Sequence, residues 1–558
     1  MTLPLLAFFV FAAGQVGVRP HLIPVAPEVL SKEQAAWDLF DKARNVERTD
    51  ERLSLLDQFQ SALGRTDRNI EEYRFFFLAM AHRWDDAFAQ SKRMRELGYV
   101  SEGHFFDPQY KEILKDPRTA HELAKFSELQ RKRLDELDFT QLGLNSSRAS
   151  TLLRSLLFRD DLSDMELYRQ FSSFSGFQKP RHTNRWFVDT IDFDSKRPGV
   201  GIVPISYFVY IPTQYRLTNP NPALIWVHGG WFSAPSARPL LPDINLGANN
   251  PLLSEVERRG YIEIIPLCYS AVTMGSEGNS KLFERILARV KQTLNVDDDR
   301  VYFAGHSDGG TSAFTTACED PTAFAAFYPV NGWPRPEAHY RNLVSRPMES
   351  LTSEKDDLFI PASVLPLYKI AQSVHADWNL TLVPGGTHGA ENFIGPYAVS
   401  LFDHMAKLKR NALTADKTWE MDADQSATVD WLKVLEVDSK RPRAPWHSLV
   451  STPRSKRPKY AVELTEPAPQ NENSGCVTAH YANNVFELQT SRIAKVRLLI
   501  HPRMVDLSKP VRVIANGREV FNAEVKTNRA FMVNNFLTHF DRSLVWVASI
   551  DVNIPDGP

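Results

Sequence analysis

The chain has 558 residues, too many for one hydrophobic core, so about three or four folding units are expected. Apolar residues make up 43% and charged residues 24%, an ordinary globular balance. With 65 Lys and Arg against 67 Asp and Glu, the chain lacks the basic footprint of a nucleic-acid binder.

The amino terminus reads "MTLPLLAFFVFAAGQVGVRP". Leu3 to Ala13 is almost wholly apolar, and Ala12-Ala13-Gly14 places small residues where a signal peptidase cuts. A secretory signal over residues 1–14, and a secreted or periplasmic protein, is the reading. No Lys or Arg precedes the run, so an N-terminal anchor or a misassigned start are the other readings. The run is shorter than the roughly 20 residues that a membrane span needs.

Residues 25–150 have helical period. Ser31-Lys32-Glu33-Gln34 fits a capping box, and Ala36, Leu39, Phe40 and Ala43 then fall on one helix face. Leu56, Phe59 and Leu63 before Gly64 predict a second helix, and Tyr73, Phe76, Phe77 and Met80 a third. The stretch "AMAHRWDDAFAQSKRMRELGY" resembles part of a tetratricopeptide repeat, with a plain helical bundle as the alternative. Either would serve docking, to a protein for instance, or packing rather than chemistry.

From Arg185 strands alternate with helices. "VPISYFVYIP" (203–212), "ALIWV" (223–227), "YIEIIPL" (261–267) and "RVYFA" (300–304) predict buried strands, with a helix over 281–294. This rhythm predicts an α/β domain over residues 185–415, a mostly parallel sheet with helices on both faces.

Beyond Thr418 the pattern is strand on strand. Asn516-Gly517 is a strong hairpin turn, and Ile550, Val552 and Ile554 alternate with polar residues, predicting a β-sandwich-like domain over residues 460–558. The basic, Pro-rich stretch 439–459 reads as a solvated linker leading to it. Cys268, Cys318 and Cys476 allow at most one internal disulfide and have no zinc or redox spacing. Cys268 and Cys318 lie in apolar contexts and read as buried thiols.

The chemistry centres on "GHSDGG". Gly305-x-Ser307-x-Gly309 follows a predicted strand and opens a predicted helix, the setting a nucleophile elbow requires. The glycines flank a turn too crowded for a Cβ, which lets the Ser307 hydroxyl project. A serine hydroxyl needs a base oriented by a carboxylate. "LTSEKDDLFIP" and "LTLVPGGTHG" supply acid and histidine downstream in that order. His388 lies in a glycine-rich loop and is preferred over His375 and His404, which fall in helical runs. Glu354, Asp356 and Asp357 crowd the acid loop. The "WVHGGWF" stretch offers oxyanion donors, with the amides of Gly230 or Trp231 joining that of Asp308.

These lines, "ALIWVHGGW", "DDRVYFAGHSDGGTSAF", "AFAAFYPVNGW", "KDDLFIP" and "VPGGTHG", resemble the α/β-hydrolase superfamily over residues 207–406. In detail they are similar to secreted esterases of the polyhydroxybutyrate-depolymerase and feruloyl-esterase type and to prolyl-oligopeptidase-like hydrolases. The resemblance implies Ser307 as nucleophile, His388 as base and Asp357 as acid, since Asp357 stands four residues before Pro361. Asp357 is favoured over Asp356, with Glu354 third. Asp308 departs from the Met or Gln common in such esterases, and its carboxylate is expected to face away from the oxyanion. "MVDLSKPVRVIANGREVF" also looks like a β-domain that follows the hydrolase in some bacterial proteins.

The expected activity is cleavage of a carboxylic ester, with polymeric and carbohydrate-linked esters among the candidates, and without metal or organic cofactor. A prolyl-oligopeptidase-like peptidase is the alternative, although no propeller-like repeat precedes the catalytic block. An inactive hydrolase fold used for binding is the third reading. Trp231, Phe232, Trp333 and Tyr340 either line an aromatic substrate site or belong to the core.

Overall fold

In the computed structural model, residues 27–555 are described, apart from 65–67, 98–104, 106–107, 145–147, 196–200, 231–251, 268–279, 390–393, 424–426, 456–463 and 470–471. The expected signal segment, Cys268, Trp231 and Phe232 therefore lie outside the described residues.

Among the described residues seven α-helices come first: α1 (Pro27–Asn45), α2 (Thr49–Leu63), α3 (Arg68–Met80), α4 (Trp84–Glu96), α5 (Pro117–Leu137), α6 (Arg148–Ser155) and α7 (Asp164–Ser172). Each of the first four packs on the next. Helix α3 serves two cores, with Phe77 against Trp37 and Phe59 of α1 and α2, and Phe75, Leu78 and Ala79 against Ala87, Met94 and Phe126 of α4 and α5. Helix α1 begins at Pro27, so Ser31 lies inside the helix and the expected capping box is not its start. Proline suits a first helical position, because its missing N–H would have had no acceptor there. Gly64 ends α2 as foreseen, at φ 69°, with its N–H on the Gln60 carbonyl.

The second unit is built on an eight-stranded sheet. Its elements are β1 (Arg185–Ser195), β2 (Gly201–Ile211), β3 (Asn221–Val227), α8 (Leu253–Arg259), β4 (Ile262–Pro266), α9 (Lys281–Lys291), β5 (Val296–His306), α10 (Asp308–Glu319), β6 (Ala326–Val330), β7 (Met348–Ser353), α11 (Pro361–Ser373), β8 (Trp378–Val383) and α12 (Ile394–Lys407). The strand order is β1-β2-β4-β3-β5-β6-β7-β8. Strand β2 pairs antiparallel with β1 and β4, and every other pair is parallel.

Right-handed crossovers dictate where the helices lie. The step from β3 back to β4 puts α8 on one face, and the steps β4 to β5, β5 to β6 and β7 to β8 put α9, α10 and α11 on the other. Helix α12 packs with α8, and Arg259 pairs with Asp403 across them at 2.6 Å. Apart from Asn221 and Glu263, buried β3, β4 and β6 are apolar on both faces, as a sandwiched parallel sheet demands.

The third unit contains β9 (Asp416–Met421), β10 (Ala427–Val429), β11 (Leu432–Val437), β12 (Ser451–Ser455), β13 (Leu464–Pro469), β14 (Gly475–Ala482), β15 (Val485–Ser491), β16 (Ile493–Ile500), β17 (Val511–Ala515), β18 (Arg518–Ala523), α13 (Arg529–His539) and β19 (Ala548–Asn553). A four-stranded sheet β10-β11-β16-β19 and a five-stranded sheet β18-β17-β15-β14-β9 share one core around Trp419, Trp431, Phe486 and Val513. The Asn516-Gly517 turn has φ 50° and 76° and joins β17 to β18, as its sequence requires.

Two expectations change here. Strands β9 to β11 belong to these sheets, so the unit draws on residues well before 460. The described part of the 439–459 stretch, residues 439–455, is not a free linker. Arg441 donates to the carbonyls of Ile493 and Ile554 at 3.1 and 3.0 Å, His447 is buried, and β12 pairs with β13. Helices α6 and α7 dock on this same core, Phe171 stacking on Phe536 at 4.7 Å. Cys318 and Cys476 are buried free thiols.

Candidate active site

The parallel strands end together, and their following loops converge. Val227 at the end of β3 stands beside Gly305 of β5, His306 beside Val330 of β6, and Ser353 of β7 beside Val383 of β8. Carboxyl ends of strands in such a sheet are where loops can combine into a site.

Ser307 sits between β5 and α10 at φ 56° and ψ −119°, a conformation that L-residues avoid. Its N–H donates to the Val330 carbonyl at 3.0 Å, and its carbonyl accepts from Thr311 N at 2.9 Å. The flanking glycines are steric necessities. A Cβ on Gly305 would meet the Gly309 carbonyl oxygen at 2.4 Å, and one on Gly309 the Val227 carbonyl oxygen at 2.0 Å. The turn is therefore possible only with glycine on both sides.

His388 Nε2 lies 2.9 Å from Ser307 Oγ. Its Nδ1 lies 3.0 and 2.9 Å from the two carboxylate oxygens of Asp356. A carboxylate accepts only, so Nδ1 carries the proton and Nε2 is left to accept from the serine. The acid beside His388 is thus Asp356 and not Asp357, which is exposed. The reason is the turn after β7. Asp356 Oδ1 accepts from the N–H groups of Leu358 and Phe359 at 2.9 and 2.8 Å, which turns that side chain inward and its neighbour outward. Glu354 serves the base loop instead, where its Oε2 accepts from Gly385 N at 2.8 Å and holds the turn before His388. His404 pairs with Tyr328 at 3.0 Å, and His375 lies beyond α11.

The "HGG" loop touches the elbow. A Cβ on Gly229 would meet Ser307 Cβ at 2.8 Å, and Gly230 next to it takes φ 67°. Asp308 opens α10, in the turn whose N–H groups point out of the helix end. His228 is buried, which pushes its pKa below the ordinary histidine value, and its Nδ1 lies 2.9 Å from the Gly229 carbonyl. A neutral imidazole thus backs this loop.

Phe359 is edge-on to His388 with ring centres 5.4 Å apart, and Trp333 stacks on Phe359 at 6.2 Å. Tyr340 is buried against Trp378 and belongs to the core. Two further residues, which no sequence motif singles out, touch His388. Asn331 and His306 both hold its carbonyl, at 3.0 and 2.6 Å. Among the described residues no group of three His, Cys, Asp or Glu side chains is placed to hold a metal ion, and no helix is long and apolar enough to cross a membrane.

No protein-family model matches the chain, and no curated protein matches it. Among solved structures, a thermostable esterase is 17% identical over 40% of this chain and 63% of its own, with a TM-score of 0.34. An S-formylglutathione hydrolase from Staphylococcus aureus is 15% identical over 40% and 98%, with a TM-score of 0.31. The acylaminoacyl peptidase of Pyrococcus horikoshii is 14% identical over 41% and 42%, with a TM-score of 0.30. The chain spans less than two thirds of the length of that esterase and of that peptidase. At these values neither family nor activity follows from the likeness.

Proposed function

We propose that the protein is a serine hydrolase of the α/β-hydrolase type that cleaves carboxylic esters, exported by the apolar segment at its amino terminus. The observation that carries this reading is the unbroken series Ser307 Oγ, His388 Nε2, His388 Nδ1 and Asp356 carboxylate, with every separation within 3.0 Å.

In the acylation step Ser307 Oγ bonds to the ester carbonyl carbon while its proton passes to His388 Nε2. Asp356 holds the ring and stabilises the imidazolium. The amide of Asp308 and that of Gly230 or Trp231 receive the oxyanion. Collapse breaks the ester C–O bond, and the imidazolium returns its proton to the departing alcohol. Water then attacks the acyl-serine, giving up a proton to His388; the bond from the acyl carbon to Ser307 Oγ breaks, His388 returns the proton to Oγ, and the carboxylic acid leaves.

A fluorophosphonate probe tests the reading. The wild type should label and Ser307→Ala should not; equal labelling of the two, or a folded wild type that never labels, sinks it. Comparing kcat/KM on nitrophenyl esters and aminoacyl anilides tests ester cleavage against peptide cleavage.

A further inference from the structure

We infer that Asn331, together with His306, is a positioning residue that holds the backbone of His388 in register with both Ser307 and Asp356, an inference that rests on the serine-hydrolase reading.

Asn331 follows β6 directly, is 1% exposed and takes φ 44°. Asparagine is among the few side chains that enter this left-handed region readily. Every polar atom of its amide is used. Nδ2 donates to the carbonyls of Thr387 and His388 at 2.9 and 3.0 Å, and Oδ1 accepts from Ser353 N at 2.9 Å. Its own N–H donates to the Leu351 carbonyl at 2.9 Å.

Together with a bond of the adjoining Val330, those contacts reach all three segments that bear the proposed machinery. Ser353 ends β7 and leads into the Asp356 turn. Thr387 and His388 are the base loop. Val330, one residue before Asn331, accepts from the Ser307 N–H. The buried Asn331 amide therefore joins the acid and base segments, and the main chain it stands on holds the nucleophile segment through Val330.

His306 completes the hold from the other side. It precedes Ser307 at the end of β5, and its Nε2 donates to the His388 carbonyl at 2.6 Å. Asp356 fixes the imidazole at Nδ1, but a ring held only there could still swing about that bond. Two donors on the carbonyl fix the main chain as well, which keeps Nε2 on Ser307 Oγ.

Packing alone would not need an asparagine. An aspartate of the same shape would still accept from Ser353 but would set a carboxylate oxygen against two carbonyls. The test therefore compares Asn331→Asp, His306→Ala and His306→Gln with the wild type by thermal melting, kcat and KM on a nitrophenyl ester. Asn331→Asp and His306→Ala should lower kcat by about 10- to 100-fold while KM stays within about twofold, the signature of a misplaced catalytic group. His306→Gln, whose amide N–H reaches toward the place of Nε2, should recover most of the loss.

The inference is overturned if folded Asn331→Asp and His306→Ala keep kcat within about twofold of wild type. It also falls if the loss lies in KM alone, or if His306→Gln is as impaired as His306→Ala. Should Asn331→Asp not fold, the two His306 variants decide. Failure of the hydrolase reading would show separately, as Ser307→Ala labelling like the wild type.

Discussion

Asp356 sets both carboxylate oxygens within 3.0 Å of His388 Nδ1, while Asp357, the next residue, is exposed and has no hydrogen bond to that ring. The two differ by one position in a tight turn and by everything in consequence. Asp356→Asn should lower kcat on an activated ester by about 10³- to 10⁴-fold, because an amide stabilises the wrong tautomer and no imidazolium. Asp357→Asn should leave kcat within about twofold. Steady-state kinetics on the two variants would check this, and an inversion of the order would return Asp357 to the site.

The glycines make a second prediction. A methyl group at Gly309 would be driven into the Val227 carbonyl at 2.0 Å, and backbone cannot step aside as a side chain can. Gly309→Ala should cost about 3 kcal/mol, the upper end of overpacking. At Gly230 a Cβ would meet nothing within 4 Å, so Gly230→Ala pays only for its φ of 67°, roughly 1 kcal/mol. Denaturant melts of both variants would order them. Equal losses would mean that close approach is not what the elbow glycines are for.

What could be read from the sequence was what depends on near neighbours. The elbow was legible because strand, glycines and helix are adjacent in the chain, and the "HGG" loop because it follows an apolar strand. Asp356 was not, since whether 356 or 357 turns inward is decided by the N–H groups of Leu358 and Phe359. Asn331 was invisible for another reason. Its partners Ser353, Thr387 and His388 come from distant segments, and no local pattern announces them. The 439–459 stretch looked solvated because prolines and basic residues usually are. Its Arg441 instead caps backbone carbonyls of β16 and of the segment after β19, an arrangement only the fold can reveal.

Arg410 joins the second and third units and yields a stability prediction. Its side chain is fully buried, bonded to Asp541 at 2.6 and 3.0 Å, to Asp299 at 2.9 Å and to the Thr322 carbonyl at 3.0 Å. Burial disfavours the guanidinium charge, but Asp541 and Asp299 more than compensate and raise its pKa further. Replacing it with alanine would leave the buried Asp541 with the Ser543 N–H at 3.1 Å and with Lys291 at 3.7 Å, a lysine held more closely by Asp298 at 2.8 Å. Arg410→Ala should therefore destabilise by about 3–5 kcal/mol. Calorimetry would read this as a lower melting temperature, and a shift of less than about 1 °C would show that the pair is dispensable.

His501 adds a dependence on pH. It is 1% exposed, its Nδ1 accepts from Arg503 N at 3.1 Å, and its Nε2 faces the Tyr168 hydroxyl at 3.4 Å. Burial pushes its pKa down to about 4, with Arg503 adding to the effect and Asp541 opposing it. The neutral ring is the folded form. As pH falls, the unfolded chain takes up this proton near the ordinary histidine value of about 6.5, before the folded chain does. The stabilisation is therefore complete above about 6.5 and is lost as pH falls toward 4, to a total of about 3 kcal/mol. Glu420 acts in the same direction at lower pH. Burial would raise its pKa, but hydrogen bonding from His447 and the charges of His339 and Arg341 hold it below the usual carboxylate range. His501→Asn keeps an acceptor for Arg503 N and removes the titration. Its stability should fall less steeply than that of the wild type between about pH 7 and 4. Parallel curves for the two proteins would show that His501 does not carry this acid sensitivity.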